Sequence, residues 1–551
     1  MAPSTNHLSL PELTSPLGIT LVCFSVIAAL VFIDQVLLAL PYPKGVELAG
    51  GLPGARRFNL RTRLAYYRDC ETLFKESWEK YSKRGKAVIL PGLGFRSEII
   101  LPPDLYKWAH SQPESVLSTY HAHAETDLLP YTLGDDKYVA DPWQGHLVKN
   151  ELSPALDEFV GPMYDEVKVV FDACLGNNPG EWVEVDLRDL VRRVVGQVAS
   201  RFQVGLTLCR DQAYIQNCLE ISQSLVNAAG ITGGLPRVLQ PILGYAIGWD
   251  TRRKMALFKK QWEPTYRARL AIVLSNNPPN PDTEPRDFLQ MMMRHAQQYR
   301  PDDLHDFDAM TARLMISNFG SMHMTAVQTM NMLLNIIGSN AEHNTISTLR
   351  DEFKRVGGGD QWTKARIAKM VRTDSVARET LRLHQFGGRG GFKKVMVDGF
   401  TLPNGVMVPR GTMLTWFTYP MQTDEAIYGP DARAYDPFRF SRMREEEERN
   451  EKARMKVKTK ANEDGAKALL SFVSTSATAF MPFGHGKHAC PGRFLADFEF
   501  KMILEYLFTR YDVEFPEEYQ GKRPPNVWVA EALFPPTGAR IRARRRKSEA
   551  I

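Results

Sequence analysis

The chain has 551 residues, 44% of them hydrophobic and 24% charged, an ordinary globular balance that excludes intrinsic disorder and allows a sizeable core. Its formal net charge of +6, from 69 basic against 63 acidic residues, is mild, and no basic stripe interleaved with aromatics gives a footprint for nucleic acid. Six cysteines, Cys23, Cys70, Cys174, Cys209, Cys218 and Cys490, lack the spacing of a disulfide framework and point to a reducing, cytosol-facing compartment. Length gives a prior of several domains at about 150 residues each, and one large domain also fits.

From the N-terminus, Leu17 to Leu40 is apolar apart from Thr20, Ser25 and the pair Asp34-Gln35, long enough for one membrane-spanning helix of about 20 residues. Met1 to Pro16 holds no Lys or Arg, so the basic n-region of a cleaved signal peptide is missing. Positive charge follows the span instead, at Lys44, Arg56, Arg57, Arg61 and Arg63. The expected topology is a lumenal 1–16, a transmembrane signal anchor over 17–40 and a catalytic domain over 41–551 facing the cytoplasm. Pro41-Tyr42-Pro43-Lys44-Gly45 then breaks the helix.

Tyr66 to Ser200 alternates helical patterns with strand candidates at Lys86 to Leu90 and Arg96 to Leu101. Gln212 to Lys254 is rich in apolar residues, Gly and Pro, and Asn276 to Asp287, with four prolines, reads as a linker. Phe307 to Gly338 repeats apolar residues at three- and four-residue intervals, among them Met310, Leu314, Phe319, Met322, Ala326, Met330, Leu333 and Ile337. That spacing predicts a helix of roughly 48 Å. Glu379-Thr380-Leu381-Arg382 puts Glu and Arg on one helix face. Taken alone, such a pair is a surface contact worth a few tenths of a kcal/mol, about 0.2–0.5. Turn signals follow at Pro403-Asn404-Gly405 and Pro409-Arg410-Gly411, a charge-rich insertion runs from Met443 to Asp464, and the basic run Arg540 to Lys547 suits an anionic membrane surface or an acidic partner.

The stretch Ala479 to Ala496 carries the chemistry. Gly484 and Gly486 let a turn bring backbone N–H groups close to a sulfur, and Pro491 before an apolar run suits the first position of a helix, which places Cys490 at a positive helix end. Lys487, His488 and Arg493 add positive charge that favours thiolate and a metal bond over inert burial. A zinc site on His485, His488 and Cys490 lacks a second ligand cluster to complete four-coordination.

The pattern Phe483, Gly484, Gly486, His488, Cys490 and Gly492 closely resembles the cysteine loop of the cytochrome P450 family, filling every fixed place. The resemblance implies a mainly α fold, the cytochrome P450 fold of an orthogonal helical haem domain with small β-sheets, here preceded by one N-terminal transmembrane helix. It implies that Cys490 is the axial thiolate of haem b, a ligand that pushes electron density to iron and promotes O–O cleavage. Phe483, Gly484, Gly486 and His488 would help to bind the cofactor, with Lys393 a propionate candidate beside the Gly387 to Gly391 stretch. Trp143 to Lys149 resembles the helix that touches a propionate, without the usual Trp-to-Arg spacing; His146, Lys149 or a merely solvated face are the readings there. Glu379, Arg382 and Arg439 match the family's structural triad, a charge-assisted network before the cysteine.

The helix from Phe307 resembles the family's central helix but departs from it. Gly320-Ser321-Met322-His323-Met324-Thr325 puts His323 in the acidic place and Met324 in that of the threonine that helps deliver protons. Thr325 is one residue on, turned by about 100°, so it faces the haem only if the helix unwinds. His323 and Thr325 are the catalytic candidates. The implied activity is monooxygenation of an apolar small molecule, by hydroxylation or epoxidation, with O₂ and NADPH-derived electrons from NADPH-cytochrome P450 reductase. The implied setting is the endoplasmic reticulum membrane, single-pass, in fungal secondary metabolism of a terpenoid or polyketide type. Met324 motivates the alternative of a reductase-independent isomerase or dehydratase; a haem-free, membrane-anchored binding protein is the alternative from another class.

Overall fold

The computed structural model describes residues 15–33, 42–50, 60–91, 97–127, 129–232, 239–275, 284–357, 361–455 and 471–547. Helix α1, Pro16–Phe32, starts where the Ser15 hydroxyl accepts the Gly18 N–H at 3.0 Å, with Pro16 at the first helical position. Leu17, Ile19, Leu21, Val22, Phe24 and Val26 all lie exposed on it. At about 1.5 Å per residue its 17 residues reach roughly 25 Å, short of a hydrocarbon core of about 30 Å. Among the described residues no helix is long and apolar enough to cross a membrane. Of the expected span over 17–40, residues 17–32 belong to this apolar helix and residues 34–40 lie outside the described residues.

A six-stranded sheet follows, formed by β1 (Glu47–Leu48), β2 (Val88–Pro91), β3 (Ser97–Ile100), β4 (Leu117–Ser118), β6 (Arg389–Val395) and β7 (Met413–Phe417) in the order β1-β2-β3-β7-β6-β4. β2 and β3 stand where the apolar β-branched runs predicted them, antiparallel, with Val88 opposite Ile100. This sheet closes over its own apolar cluster, which includes Phe74, Trp78, Ile99, Leu414 and Trp416.

The larger core is helical. Helix α2 is Thr119–Thr126, α3 Leu187–Val204, α4 Gln240–Ile247, α5 Phe307–Gly338, α6 Val371–Leu383, α7 Arg439–Met455 and α8 Arg493–Arg510. α5 is capped by Asp306, whose carboxylate accepts the Asp308 and Ala309 N–H groups. From Thr325 to Ile337 every residue of α5 is buried, so its polar side chains need internal partners. Gln328 Nε2 donates to the His384 carbonyl at 3.1 Å, Asn335 Nδ2 to Thr380 Oγ1 at 3.0 Å, and Asn331 Oδ1 accepts from Arg523 and Asn526. These bonds fix the register of α5 against α6.

The proline-rich linker ends at Asp287, which caps the helix Phe288–Tyr299; residues 276–283 lie outside the described residues. The charged insertion begins as α7, and 456–470 lie outside the described residues. The basic run at the C-terminus is corrected more strongly. Arg540–Arg545 is strand β11, the middle of a sheet with β5 (Val183–Asp186) and β8 (Tyr511–Glu514), while β9 (Val527–Val529) and β10 (Ala532–Phe534) form a separate hairpin. Arg540 pairs with Glu184 and Glu518, Arg542 with Glu514, Arg544 with Asp512 and Arg545 with Asp172. The charge that suited a membrane or acidic partner is matched inside the sheet. All six cysteines are free thiols.

Candidate functional site

Cys490 sits where three chain segments meet. Gly484 and Gly486 adopt φ of 67° and 70°, left-handed values that favour glycine, and the turn they make lets the Cys490 N–H donate to the Phe483 carbonyl at 2.8 Å. α8 begins at Arg493 with Gly492 as its cap, so Pro491 lies before the cap, not at the first helical position as expected. The positive helix end still serves the sulfur, since the Gly492 and Arg493 N–H groups at the start of α8 favour its thiolate. Arg493 Nη1 also donates to the Cys490 carbonyl at 2.8 Å. Burial pushes the thiol up from its ordinary value, against those two N–H groups and the Arg493 charge. Cys490 is enclosed by protein yet its side chain is accessible, which places it on the wall of an interior hollow. A metal cation at the sulfur would restore the thiolate that burial disfavours.

Beside this loop stands a cluster of cationic and imidazole side chains. Lys393, wholly buried, has Nζ 3.4 Å from Glu114 Oε1, and His488 Nε2 lies 3.0 Å from the same oxygen, out of line for a hydrogen bond. His110, stacked on Tyr106, has its ring 6.0 Å from that of His488. Burial and the neighbouring Lys393 charge push His110 down to about 3. Burial pushes the Glu114 carboxyl up, but His488, Lys393 and the Ser118 hydroxyl overcome that and hold it at about 2. An accessible thiol at a helix start, beside the donor groups of Lys393 and His488, fits a haem whose iron the sulfur would hold and whose propionates those donors would receive. His146 and Lys149, by contrast, are exposed, while the buried Trp143 donates to Asp303 and lies under Arg313. Neither belongs to this cluster.

The triad residues converge as the motif predicts, and far from any surface. Arg382 donates through Nε and Nη2 to the two oxygens of Glu379, both at 2.7 Å, and through Nη1 to the carbonyls of Gln422 and Ala432. Arg439 Nε reaches Glu379 Oε1 at 3.2 Å. Gln422 passes this rigidity on, for its Oε1 accepts the Met481 N–H at 2.9 Å, two residues before Phe483. Asp374 and Arg378 hold the preceding segment, the first accepting from Phe472 N and the second donating to the Ser471 and Ser474 carbonyls.

On α5 the side chains sort by face. Phe319, His323 and Met324 are half-buried and Gly320 is exposed with open space where a Cβ would stand, whereas Met322 and Thr325 are packed, Thr325 at 6% exposure. The helix runs unbroken through this turn, so Thr325 stays packed in the core while His323 and Met324 are left half-buried. The His323 ring stacks on Phe319 at 5.8 Å and meets the edge of Phe386 at 6.0 Å, and its Nε2 is sealed off with no partner among the described residues. Burial, then the charges of Arg192 and Arg188, push it down to about 4, which corrects the expectation of a group titrating near neutrality.

That depression has a thermodynamic consequence. The unfolded chain takes up the proton near the ordinary value of about 6.5 and the folded one near about 4, so the unfolded state binds more protons between them and stability falls as pH drops through this window. His323→Leu is expected to make that loss shallower, by on the order of 3 kcal/mol in all. Urea midpoints of parent and variant across the window check it; parallel profiles would dismiss the burial effect.

Sequence reasoning missed Glu114, Gln422 and the buried ion cluster in which Arg389 bridges Glu98 and Glu531. Glu114 lies 279 residues from Lys393 in sequence, and no motif spans that distance.

A model of the cytochrome P450 family matches residues 155–542. The chain is 46% identical over 519 residues to the cytochrome P450 monooxygenase pbrC of Penicillium brasilianum, covering 93% of this chain and 94% of that one. It is 44% identical to astC of Aspergillus terreus, covering 95% and 96%, and 40% identical to tenB of Beauveria bassiana, covering 92% and 93%, both cytochrome P450 monooxygenases. Among solved structures, retinoic acid-bound cyanobacterial CYP120A1 shares the fold, with a TM-score of 0.62 at 18% identity, over 92% of this chain and all of that one. The chain belongs to the cytochrome P450 family. With its relatives it is a monooxygenase of that family, which disposes of the haem-free binding protein.

Proposed function

We propose that this enzyme inserts one oxygen atom from O₂ into an apolar small molecule, by hydroxylation or epoxidation, in fungal secondary metabolism of a terpenoid or polyketide type, with Cys490 as the axial ligand of haem b. Haem, when bound, supplies the reductive activation of O₂, with NADPH-derived electrons arriving through NADPH-cytochrome P450 reductase. The observation that carries the reading is the accessible Cys490 sulfur immediately before the start of α8, behind the Gly484 and Gly486 turn. Phe483, Gly484 and Gly486 shape its turn, and Lys393 and His488 stand where carboxylates of the cofactor would be received. Phe319 and Phe386, half-buried against His323, with half-buried Phe534 on the far side of Phe386, suit an apolar substrate. Fungal relatives support the metabolic setting.

We assign the chain, in the same reading, to the cytoplasmic face of the endoplasmic reticulum membrane, with 1–16 lumenal, an anchor over 17–40 and the catalytic domain from 41 onward. Supporting this are the exposed apolar residues of α1 and, on and just after α4, exposed Ile242, Tyr245 and Trp249 with Arg252 and Arg253 over two of their rings.

The test is spectroscopic. Reduced protein with carbon monoxide is expected to show the red-shifted Soret band of thiolate-ligated haem, and Cys490→Ser to lose it while the parent retains it. An unchanged band in that variant would overturn the ligand assignment.

A further inference from the structure

We propose that Glu114 is a positioning residue for the cofactor: fixed at the N-terminus of α2, it holds Lys393 and His488 in the arrangement in which they receive a propionate. The inference rests on the haem-thiolate reading above. One oxygen of Glu114 is an anchor, since Oε2 accepts from Ser118 Oγ at 3.0 Å and from the Thr119 N–H at 2.9 Å. Ser118 is itself fixed, as the cap of α2 and as the β4 residue paired with Lys394 of β6. The register of β4 on β6 therefore sets how far Glu114 stands from Lys393. Oε1 is left facing both side chains, 3.4 Å from Lys393 Nζ and 3.0 Å from His488 Nε2.

Two features make this an arrangement that holds Lys393 and His488 without using up their donors. Lys393 has no solvent contact, and a buried ammonium is retained only beside an anion; among the described residues Glu114 is the carboxylate that contacts it. A lysine has three N–H donors, of which Glu114 takes one, through a long bond. The His488 contact is out of line, so its N–H is not committed to Glu114. Donor capacity thus remains on both groups for a second carboxylate. Through Glu114, β6, the cysteine loop and the start of α2 are tied at one oxygen pair.

The experiment is transfer of haem from the purified full-length protein to excess apomyoglobin, followed by absorbance, with unfolding midpoints recorded beside it. Glu114→Gln is expected to release haem about tenfold faster or more, the scale of one charge-assisted hydrogen bond. Lys393→Met is expected to do the same, and the double variant no more than the larger single effect, because both changes remove one arrangement. Release at the parental rate from Glu114→Gln, or effects that multiply in the double variant, would overturn the proposal. Where Glu114→Gln does not fold, Ser118→Ala keeps every charge, removes one of the two donors to Oε2 and takes the cap of α2 with it; it is expected to release haem about threefold faster, and the parental rate there counts against the proposal equally. A parent that binds no haem refutes the haem reading and this inference with it, whereas a haem-bearing parent with indifferent variants refutes this inference alone.

Discussion

Arg382→Ala is expected to yield no soluble, haem-loaded protein. Arg382 and Glu379 are both wholly buried, and removing Arg382 takes away the bidentate partner of Glu379, leaving Arg439 Nε at 3.2 Å as its one remaining charged contact among the described residues. Such a loss costs about 3–5 kcal/mol, a large part of the 5–15 kcal/mol that holds a typical domain together. The damage is directional, because Arg382 also takes the carbonyls of Gln422 and Ala432, and Gln422 holds the Met481 N–H just before the cysteine loop. Arg382→Lys keeps the charge but not the planar fork, so it is expected to fold with reduced haem content. Replacing both Glu379 and Arg382 by leucine removes the unpaired charge, but the two carbonyls and the Asp436 N–H, which donates to Glu379 at 3.2 Å, then lose their partners. No rescue is expected from that double change. Haem content per chain and thermal midpoints of the three variants decide the matter; an Arg382→Ala protein that keeps its haem and melts near the parent would show that the network does not support the loop.

The contrast between what the sequence made legible and what it hid follows from the range of the contacts. Cys490 and its glycines are local: a turn of a few residues needs left-handed glycines at fixed places, and that constraint is written in the spacing. Glu379 and Arg382 are local as well, three residues apart on one helix, and only their burial and the carbonyls they take were invisible. α5 was readable from its period, yet the side chains bordering the hollow were not, since a helix apolar all round does not announce which face meets a ligand. Strands β2 and β3 could be placed from β-branched runs, whereas pairing β3 with β7 joins Ile99 to Leu414 across most of the chain. Arg389 with Glu98 and Glu531, and Glu114 with Lys393, depend on that same long-range closure. The basic tail misled for the opposite reason. Composition counts the arginines of β11, but the acidic residues that neutralise them come from β5, β8 and the chain around them.

Met324→Thr is expected to raise the product formed per NADPH consumed, and His323→Phe to lower it, in a reaction reconstituted with a partner reductase. Met324 is half-buried, and a threonine there would place a hydroxyl where the present side chain offers only a thioether. His323 is the ionisable side chain on the same stripe of the helix, and its sealed Nε2 lacks a partner that a water or a polar substrate group could become. Pushed down to about 4, it is neutral near pH 7 and passes a proton only by accepting one in exchange, so it acts as a relay and not as a reservoir of acid. Phenylalanine keeps the ring against Phe319 and Phe386 but has no nitrogen, which separates proton handling from packing. Loss of a positioned donor costs typically about 10²-fold in the step it serves, and the electrons then leave as peroxide in place of product. Thr325→Val is the control: Thr325 is packed into the core, and its replacement is expected to change stability while leaving the product ratio at the parental value. A coupling loss confined to Thr325→Val would mean that the helix opens at this turn during the reaction. Should His323→Phe couple as well as the parent and turnover persist without NADPH and reductase, the residues of this turn deliver no protons and rearrangement of the substrate, not oxygen insertion, is the chemistry the hollow serves.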